Sequence, residues 1–332
     1  MIDEERTCLV LRRLRVEHAS ALAGFTYGFV SMGSLLGLMH ALGRELAAGP
    51  LRYEGRLARL CVLQHSQQVH AFRRHDFEPY RFNQPRHPPQ TDGKPAPMIE
   101  EGKMNLELSI ICELEDHDSY GVDAQRLLRE VERIVRCRKL AGGHIFPGTC
   151  RRCEKKEASA RRETLAEPNF AVLCEGQGEL EREVRFLYPF AALCDRSELL
   201  ARARREQGLT AVDALLQYCC LQYDCERDKD GGVQWQRHER EEPGYLVPCH
   251  MGYRAITENF TVSEVLGGAL RDPACDGVMV EYVHSIAEWV CSVSRFMEYF
   301  KEGRMSWEYC QDGAYYLFNQ PRDMENDDGR QK

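Results

Sequence analysis

Acid–base chemistry at neutral pH needs an imidazole, and His18, His40 and His144 lie close to the first and second helical segments. His40 sits beside the apolar stripe Leu35, Leu36, Met39 and Leu42, where a histidine more often lines a core edge than does catalysis. No Ser–His–Asp set, Walker loop or carboxylate-rich metal centre can be read, so no catalytic residue is expected. Cys150-x-x-Cys153 is half of a zinc knuckle; Cys219-Cys220-x4-Cys225 and Cys249-His250 do not supply the second close pair. Neither a metal nor another cofactor is expected.

Binding chemistry is better provided for. Residues 70–102 hold six prolines interleaved with Phe72, Phe77, Tyr80 and Phe82 and with Arg73, Arg74, Arg81, Arg86, His87 and Lys94. Proline at this density excludes a helix interior or a central strand. Rings that stack on bases and guanidinium groups that meet phosphates suit a finger on single-stranded nucleic acid. Two glycine loops, one with Gly24 and Gly28 and one with Gly142 and Gly143 between Lys139 and His144, allow backbone N–H groups to approach phosphates. On this reading a Cβ at position 143 blocks the ligand and leaves the fold intact.

Composition sets the bounds. The chain has 332 residues, 43% hydrophobic and 29% charged, ordinary for a globular protein. The start, Met1-Ile2-Asp3-Glu4-Glu5-Arg6, is the wrong chemistry for a secretory signal. Fifteen cysteines then read as reduced thiols in a cytoplasmic protein. Residues 19–43 carry no Asp, Glu, Lys or Arg, but their serines and five glycines favour a buried loop and helix over a membrane span. The net charge of −8 hides an asymmetry: residues 126–162 hold twelve Lys/Arg against four Glu. That is either a basic groove or a solvated helix face paired at i,i+4, as in Glu132–Arg136.

The elements that must position these residues follow from periodicity. Cys8–Val16 reads as a first strand, with Leu9 and Leu11, then Leu14 and Val16, alternating around arginines. Ser31 caps a helix through Met32, Leu35, Leu36, Met39, Leu42 and Leu46, stopped by Gly49-Pro50. Leu57–His65, running toward Phe72, and Met104–Leu114 are further strands, and Asp123–Lys139 is a second amphipathic helix. A closing strand falls in Asn169–Cys174 or Val184–Phe190. Glu198–Tyr223 and Met279–Lys301 read as helices around a polar loop, Glu226–Glu242, and the tail 323–332 reads as frayed. Trp289, Phe296, Tyr299 and Phe300 offer more aromatic surface than one helix buries on its own chain, which points to a protein partner. The predicted fold is α+β, a ferredoxin-like or RNA-recognition-motif-like core over residues 1–195 with a thumb inserted at about 70–103. Residues 196–332 form a mainly helical second region.

Several segments together resemble a known family. Gly28-Phe29 followed by Gly37-Leu38-Met39-His40-Ala41-Leu42, then Arg81-Phe82-Asn83-Gln84-Pro85-Arg86-His87-Pro88, resemble parts of one subunit of the type I-F CRISPR surveillance (Csy) complex. Lys139-Leu140-Ala141-Gly142-Gly143-His144-Ile145-Phe146-Pro147, Pro243–Gly252 and Glu288-Trp289 are similar in the same order. Residues 148–160 depart from the family pattern. The resemblance implies a non-catalytic core of the RAMP type that caps the 5′ handle of the guide RNA beside a large subunit and an adjacent backbone subunit. Target DNA is met only indirectly, and no membrane is involved. It places on RNA Arg15, His18, Gly24, Phe25, Tyr27 and Gly28; Arg81, Phe82, Asn83, Gln84, Arg86 and His87; Lys139, Gly142, Gly143 and His144; and Arg254. The competing readings are a metal-independent endoribonuclease of the same fold, using His18, His40 or His144, and a purely structural interaction module.

Overall fold

The computed structural model describes residues 6–84, 87–117, 121–147, 170–227, 232–237, 242, 244–261 and 276–319. Its first half runs β1 (Thr7–Ser20), α1 (Met32–Ala48), β2 (Arg56–Val69), β3 (Lys103–Glu115), α2 (Ala124–Arg136), β4 (Lys139–Leu140), β5 (Gly143–Phe146) and β6 (Ala171–Glu175). There follow α3 (Gln177–Leu187), β7 (Ala191–Asp195), α4 (Ser197–Gln207), α5 (Ala211–Cys219), β8 (Tyr245–Ala255), β9 (Val280–Val290), α6 (Val293–Lys301), β10 (Glu308–Asp312) and β11 (Tyr315–Asn319). All eleven strands join one antiparallel sheet in the order β10-β11-β8-β9-β7-β2-β3-β1-β5-β4, with β6 also pairing β1.

Both faces of the sheet are covered at one end. Leu9 and Leu11 of β1, Leu60 and Val62 of β2, and Leu108 and Ile110 of β3 pack under α1 and α2. Cys8, Val10, Cys61, Leu63 and Ile111, pointing the other way, pack under α3 and α6. This double burial is why Ile110–Cys112 reads as a continuous apolar run, since neither face meets water. A third cluster joins α4 and α5 to Leu246 and Ile286. The buried thiols of Cys8, Cys174 and Cys194 are pushed up to about 12 chiefly by burial, so they are inert at neutral pH.

The alternation along β1 changes phase between Leu11 and Leu14, and the strand bulges there. Its register on β3 shifts between Leu11 and Leu14 and again between Val16 and Ala19. Arg13 and His18, at these shifts, take the left-handed conformation with φ of 43° and 58°. Each bulge inserts one residue and keeps Leu14, Val16 and Ala19 on the α1/α2 side.

Several expectations need correction. Of the two segments offered for the closing strand, Ala171–Glu175 is a strand, and residues 184–187 end helix α3 instead. Leu180, Val184 and Leu187 lie one helical turn apart and enter the α3/α6 core. Met279–Lys301 is not one helix. Ser285–Glu288 are buried within β9, and Ser292 Oγ then caps α6 through the Arg295 N–H. A strand buried on both faces has no period of its own, so it imitates a buried helix. Gly208, with φ of 67°, divides Glu198–Tyr223 into α4 and α5, and a β-ribbon stands in the predicted polar loop. Residues beyond 195 are therefore not mainly helical among those described: β8 to β11 extend the sheet. Phe296 and Phe300 are buried in this chain's own core rather than offered to a partner. No described helix is long and apolar enough to cross a membrane. Residues 19–43 end β1, make a hairpin and form α1, but the hairpin is open, with Leu22, Phe25 and Tyr27 exposed.

Candidate nucleic-acid interface

The sheet face that α3 covers becomes open halfway along β1. Arg12 marks the boundary, its guanidinium forking both carboxylate oxygens of Glu183 on α3 at 2.6 Å. Beside it Arg13 pairs with Glu107 at 2.7 Å, and His65 bridges the Pro189 carbonyl and the Ser109 hydroxyl. Beyond this line β1 presents Arg15 and Glu17, opposite Phe146 and His144 of β5. The Arg15 guanidinium lies over the Phe146 ring, 5.3 Å from its centroid, and pairs with Glu17 at 3.3 Å. The second bulge turns out His18, which is exposed and sits edge-on to His70 at 5.2 Å.

The end of β1 ties two loops together. The Ser20 N–H donates to the Ala141 carbonyl at 2.8 Å, and the Ala21 N–H to the Gly102 carbonyl at 2.9 Å. Successive backbone donors thus hold the glycine turn after β4 on one side and the base of the proline-rich segment on the other. Lys139 and His144 face each other across that turn, and both are exposed.

Its two glycines do different things. Gly142, with φ of 79°, has open space where a Cβ would be. Gly143 is buried, and a Cβ there would meet Ala19 N and Glu17 O of β1 at 2.7 Å. The expectation that Gly143 keeps its backbone free for a ligand is therefore wrong: its bare Cα lets β5 lie against β1. Only Gly142 faces solution.

After Ala21 the hairpin Leu22–Ala23/Thr26–Tyr27 folds over, closed by the Gly28 N–H donating to Ala21 O at 3.0 Å. Gly24, with φ of 63°, has no room for a Cβ because the His284 imidazole fills that space. Phe25 stacks on the same imidazole, centroids 3.6 Å apart, and its N–H donates to His284 Nε2 at 3.3 Å. Its other side faces water, leaving Phe25 68% exposed. Tyr27 meets Phe82 edge to face at 5.4 Å, joining hairpin and thumb.

Within the thumb, Arg81–Phe82 pair with Ala71–Phe72, and the Glu101 N–H donates to Asn83 O at 3.1 Å. Gln84 donates to Glu100, and His87 lies 3.6 Å from Glu101. Arg81 is exposed; Arg86 lies outside the described residues. A cleft of about 390 Å³ opens beneath the hairpin, lined by Tyr27, Gly28, Phe29, Gln64, His250 and Trp289 among others.

The structure thus brings most of the predicted residues to one end of the sheet. Arg254 stands apart on β8, paired with Glu281 at 3.1 Å and lying over Tyr315. His40 is exposed on α1 and opens into a separate cleft with Arg44, Tyr53 and Glu308, so it does not join His18 and His144. Three arginines at the end of α2 and just beyond it behave as a paired helix face: Arg133, Arg136 and Arg138 meet Glu130, Glu132 and Glu45. Glu132 also accepts the Phe170 and Ala171 N–H groups at 2.6 and 3.0 Å, tying α2 to β6. Among the described residues no cluster of three His, Cys, Asp or Glu could hold a metal ion. Cys150 and Cys153 lie outside them.

Sequence reasoning missed His284, His250, Tyr282 and His70. Tyr282 and His284 stand on a strand assigned to a helix, and His250 on one to which no element was assigned, so no pattern placed them beside Gly24. Burial lowers the pKa of both His250 and His284 below the ordinary imidazole value, which keeps them neutral. His284 Nε2 lies 3.3 Å from the Phe25 nitrogen and 3.4 Å from the Ala23 carbonyl oxygen, so by tautomer it accepts from the first or donates to the second. His250 Nε2 donates to Gly252 O at 2.8 Å, leaving Nδ1 to accept the Ser31 hydroxyl at 3.2 Å. Ser31 is indeed the N-cap residue of α1, but its side chain engages His250 instead of the helix end.

A family model described as CRISPR-associated protein (Cas_Csy2) matches residues 9–318. The CRISPR-associated protein Csy2 of Pseudomonas aeruginosa (strain UCBPP-PA14) is 26% identical over 307 residues, covering 87% of this chain and 88% of that protein. Agreement over nearly the whole length places the open sheet end, the hairpin and the thumb inside the matched region, and the chain belongs to the Csy2 family of CRISPR-associated proteins.

Proposed function

We propose that this chain is a non-catalytic guide-RNA-binding subunit of a type I-F CRISPR interference complex, capping the 5′ handle. The strand order β6-β1-β3-β2, with α1 and α2 packed on one face, supports a ferredoxin-like core of the RAMP kind. The observation that carries the reading is the paired hydrogen bonding of Ser20 and Ala21, which makes one surface of the glycine turn, the hairpin and the thumb.

On that surface Phe25 and Phe146 offer rings for unpaired bases, and Arg15, His18, Lys139, Arg81 and His144 offer donors for phosphates. The Gly142 N–H stands where no Cβ obstructs approach. A nucleotide displaced from the stack would enter the cleft beside Gly28, with the thumb over it. Among the described residues none of the candidate imidazoles His18, His40 and His144 hydrogen-bonds a carboxylate that would orient it as a general base, which favours binding over cleavage. The large subunit would seat on the exposed apolar residues Val212, Leu216, Leu221 and Tyr245, beside a cleft of about 470 Å³ containing Trp289. An adjacent backbone subunit continues along the guide, and target DNA is reached through the guide.

Co-expression with a guide array and sequencing of the co-purified RNA tests the reading. Guides sharing one 5′ handle are expected. Random cellular RNA would overturn it, and labelled precursor that is cut instead of retarded would favour the ribonuclease.

A further inference from the structure

Between α5 and β8 the chain makes an antiparallel ribbon, Tyr223–Arg227 paired with Val233–Arg237, in which all ten residues are exposed. A two-stranded ribbon that nothing covers is marginal in water, the more so with Trp235 67% and Tyr223 56% exposed. Such an element gains its worth from something that binds it.

The register says what kind of thing. Tyr223 lies opposite Arg237, Cys225 opposite Trp235 and Arg227 opposite Val233, so these six share one face. Asp224 opposite Gln236 and Glu226 opposite Gln234 make the other. One face therefore has two rings, two guanidinium groups and no carboxylate, while both carboxylates are turned away. Among the described residues no acidic side chain is paired with Arg227 or Arg237. The rings are diagonal neighbours, roughly 7–8 Å apart. The guanidinium groups sit at opposite ends of the face, about 13 Å apart along the ribbon at a rise of ~3.3 Å per residue.

We propose that this face is a second nucleic-acid contact, taking a single-stranded segment whose bases stack on Tyr223 and Trp235 and whose phosphates meet Arg227 and Arg237. Stacking accepts any base and the guanidinium groups contact only phosphate, so the site is blind to sequence. A protein interface also favours Trp, Tyr and Arg. The removal of both carboxylates to the opposite face is what a polyanion requires and a mixed protein surface does not. The site shares no residue with the handle surface and stands without that reading.

The test uses the full chain carrying its co-purified RNA, with an oligodeoxythymidine of about 15 nucleotides as the probe, near the upper end of sizes such sites occupy. Trp307 is fully buried and Trp289 half-buried, so Trp235 is the tryptophan open to a base and its emission reports stacking. The probe is expected to quench that emission, less so as salt rises. With a fluorescein-labelled probe read by anisotropy, Trp235→Ala should weaken probe binding about tenfold, in line with ~1–3 kcal/mol per stacked base, and Trp235→Phe should restore most of it. Arg227→Gln with Arg237→Gln should lower the salt slope by about 1.4, two single-strand phosphate contacts. An unchanged circular dichroism spectrum and melting temperature establish that each variant is folded. Equal probe binding by wild type and Trp235→Ala overturns the proposal.

Discussion

The two ends of the central sheet are made of the same strands and do opposite things. At Cys8–Leu11, Leu60–Leu63 and Ile110–Cys112 both faces are covered and alternate side chains enter different cores. A few residues along β1, past Arg12 and its fork to Glu183, one face lies open and carries Arg15, Glu17 and His18. Covering sets rigidity at the first end. At the second, the same rigid backbone holds loops that have little core of their own. The lesson is that an open surface can be made from ordinary strands by ending a helix early: α3 stops at Leu187, and the sheet face beyond it is left uncovered.

That contrast can be broken in order of expected effect. Leu11→Ala, at the covered end, should cost about 3–5 kcal/mol, the range for a fully buried leucine. Urea denaturation would show it, while RNA affinity per folded molecule stays unchanged. Gly143→Val should cost about 2–3 kcal/mol, because its side chain meets the backbone of β1 and overpacks it. Gly142→Ala, at an open position with φ of 79°, should cost only ~1–2 kcal/mol of left-handed strain. If the Gly143→Val chain melts like wild type, the assignment of that glycine to packing fails.

At the open end the signs reverse. Phe25→Ala should leave the melting temperature within about a degree of wild type, as expected for an exposed side chain. It should weaken binding of the handle RNA about tenfold by gel shift, the loss of one stacked base. A destabilised chain with intact binding would mean that Phe25 merely covers His284. Arg81→Ala should reduce the salt slope of RNA binding by ~0.7, and an unchanged slope removes the thumb from the interface.

The smallest effect joins the two ends. Burial lowers the pKa of His284 and of His250 from 6.5 in the folded chain, so the unfolded chain binds their protons more readily. Their contribution to stability is full above about pH 6.5 and is lost as pH falls through the lowered folded values. A protonated His284 can only donate from Nε2, toward the Ala23 carbonyl, and no longer accepts the Phe25 N–H, so handle affinity should fall over the same acid range. His284→Phe keeps a ring under Phe25 and should flatten part of the pH dependence. If that variant and wild type share one pH profile, the titrating group lies elsewhere.

Much of the covered end was legible. The periods of Met32–Leu46 and Leu127–Val135 give α1 and α2, and the alternation of Leu9, Leu11, Leu14 and Val16 contains even the bulge, as a change of phase. The site was legible as composition, in glycines, rings and arginines close together in the chain. Its supports were not, because His284 reaches Gly24 across 260 positions and Gly102 reaches Ala21 across 81. Local pattern carries no information about such contacts.

By itself, the sequence determined the local conformations whose causes are local: apolar periods and the prolines that keep the thumb out of the sheet. Tertiary structure alone decided that Val280–Val290 is a strand and that Gly143 serves β1 while Gly142 faces water. It also decided that Phe296 and Phe300 are core residues, and that the ribbon after α5 separates its charges by face. In each of these the deciding neighbour is far away in the chain, and a side chain's environment depends on what packs against it.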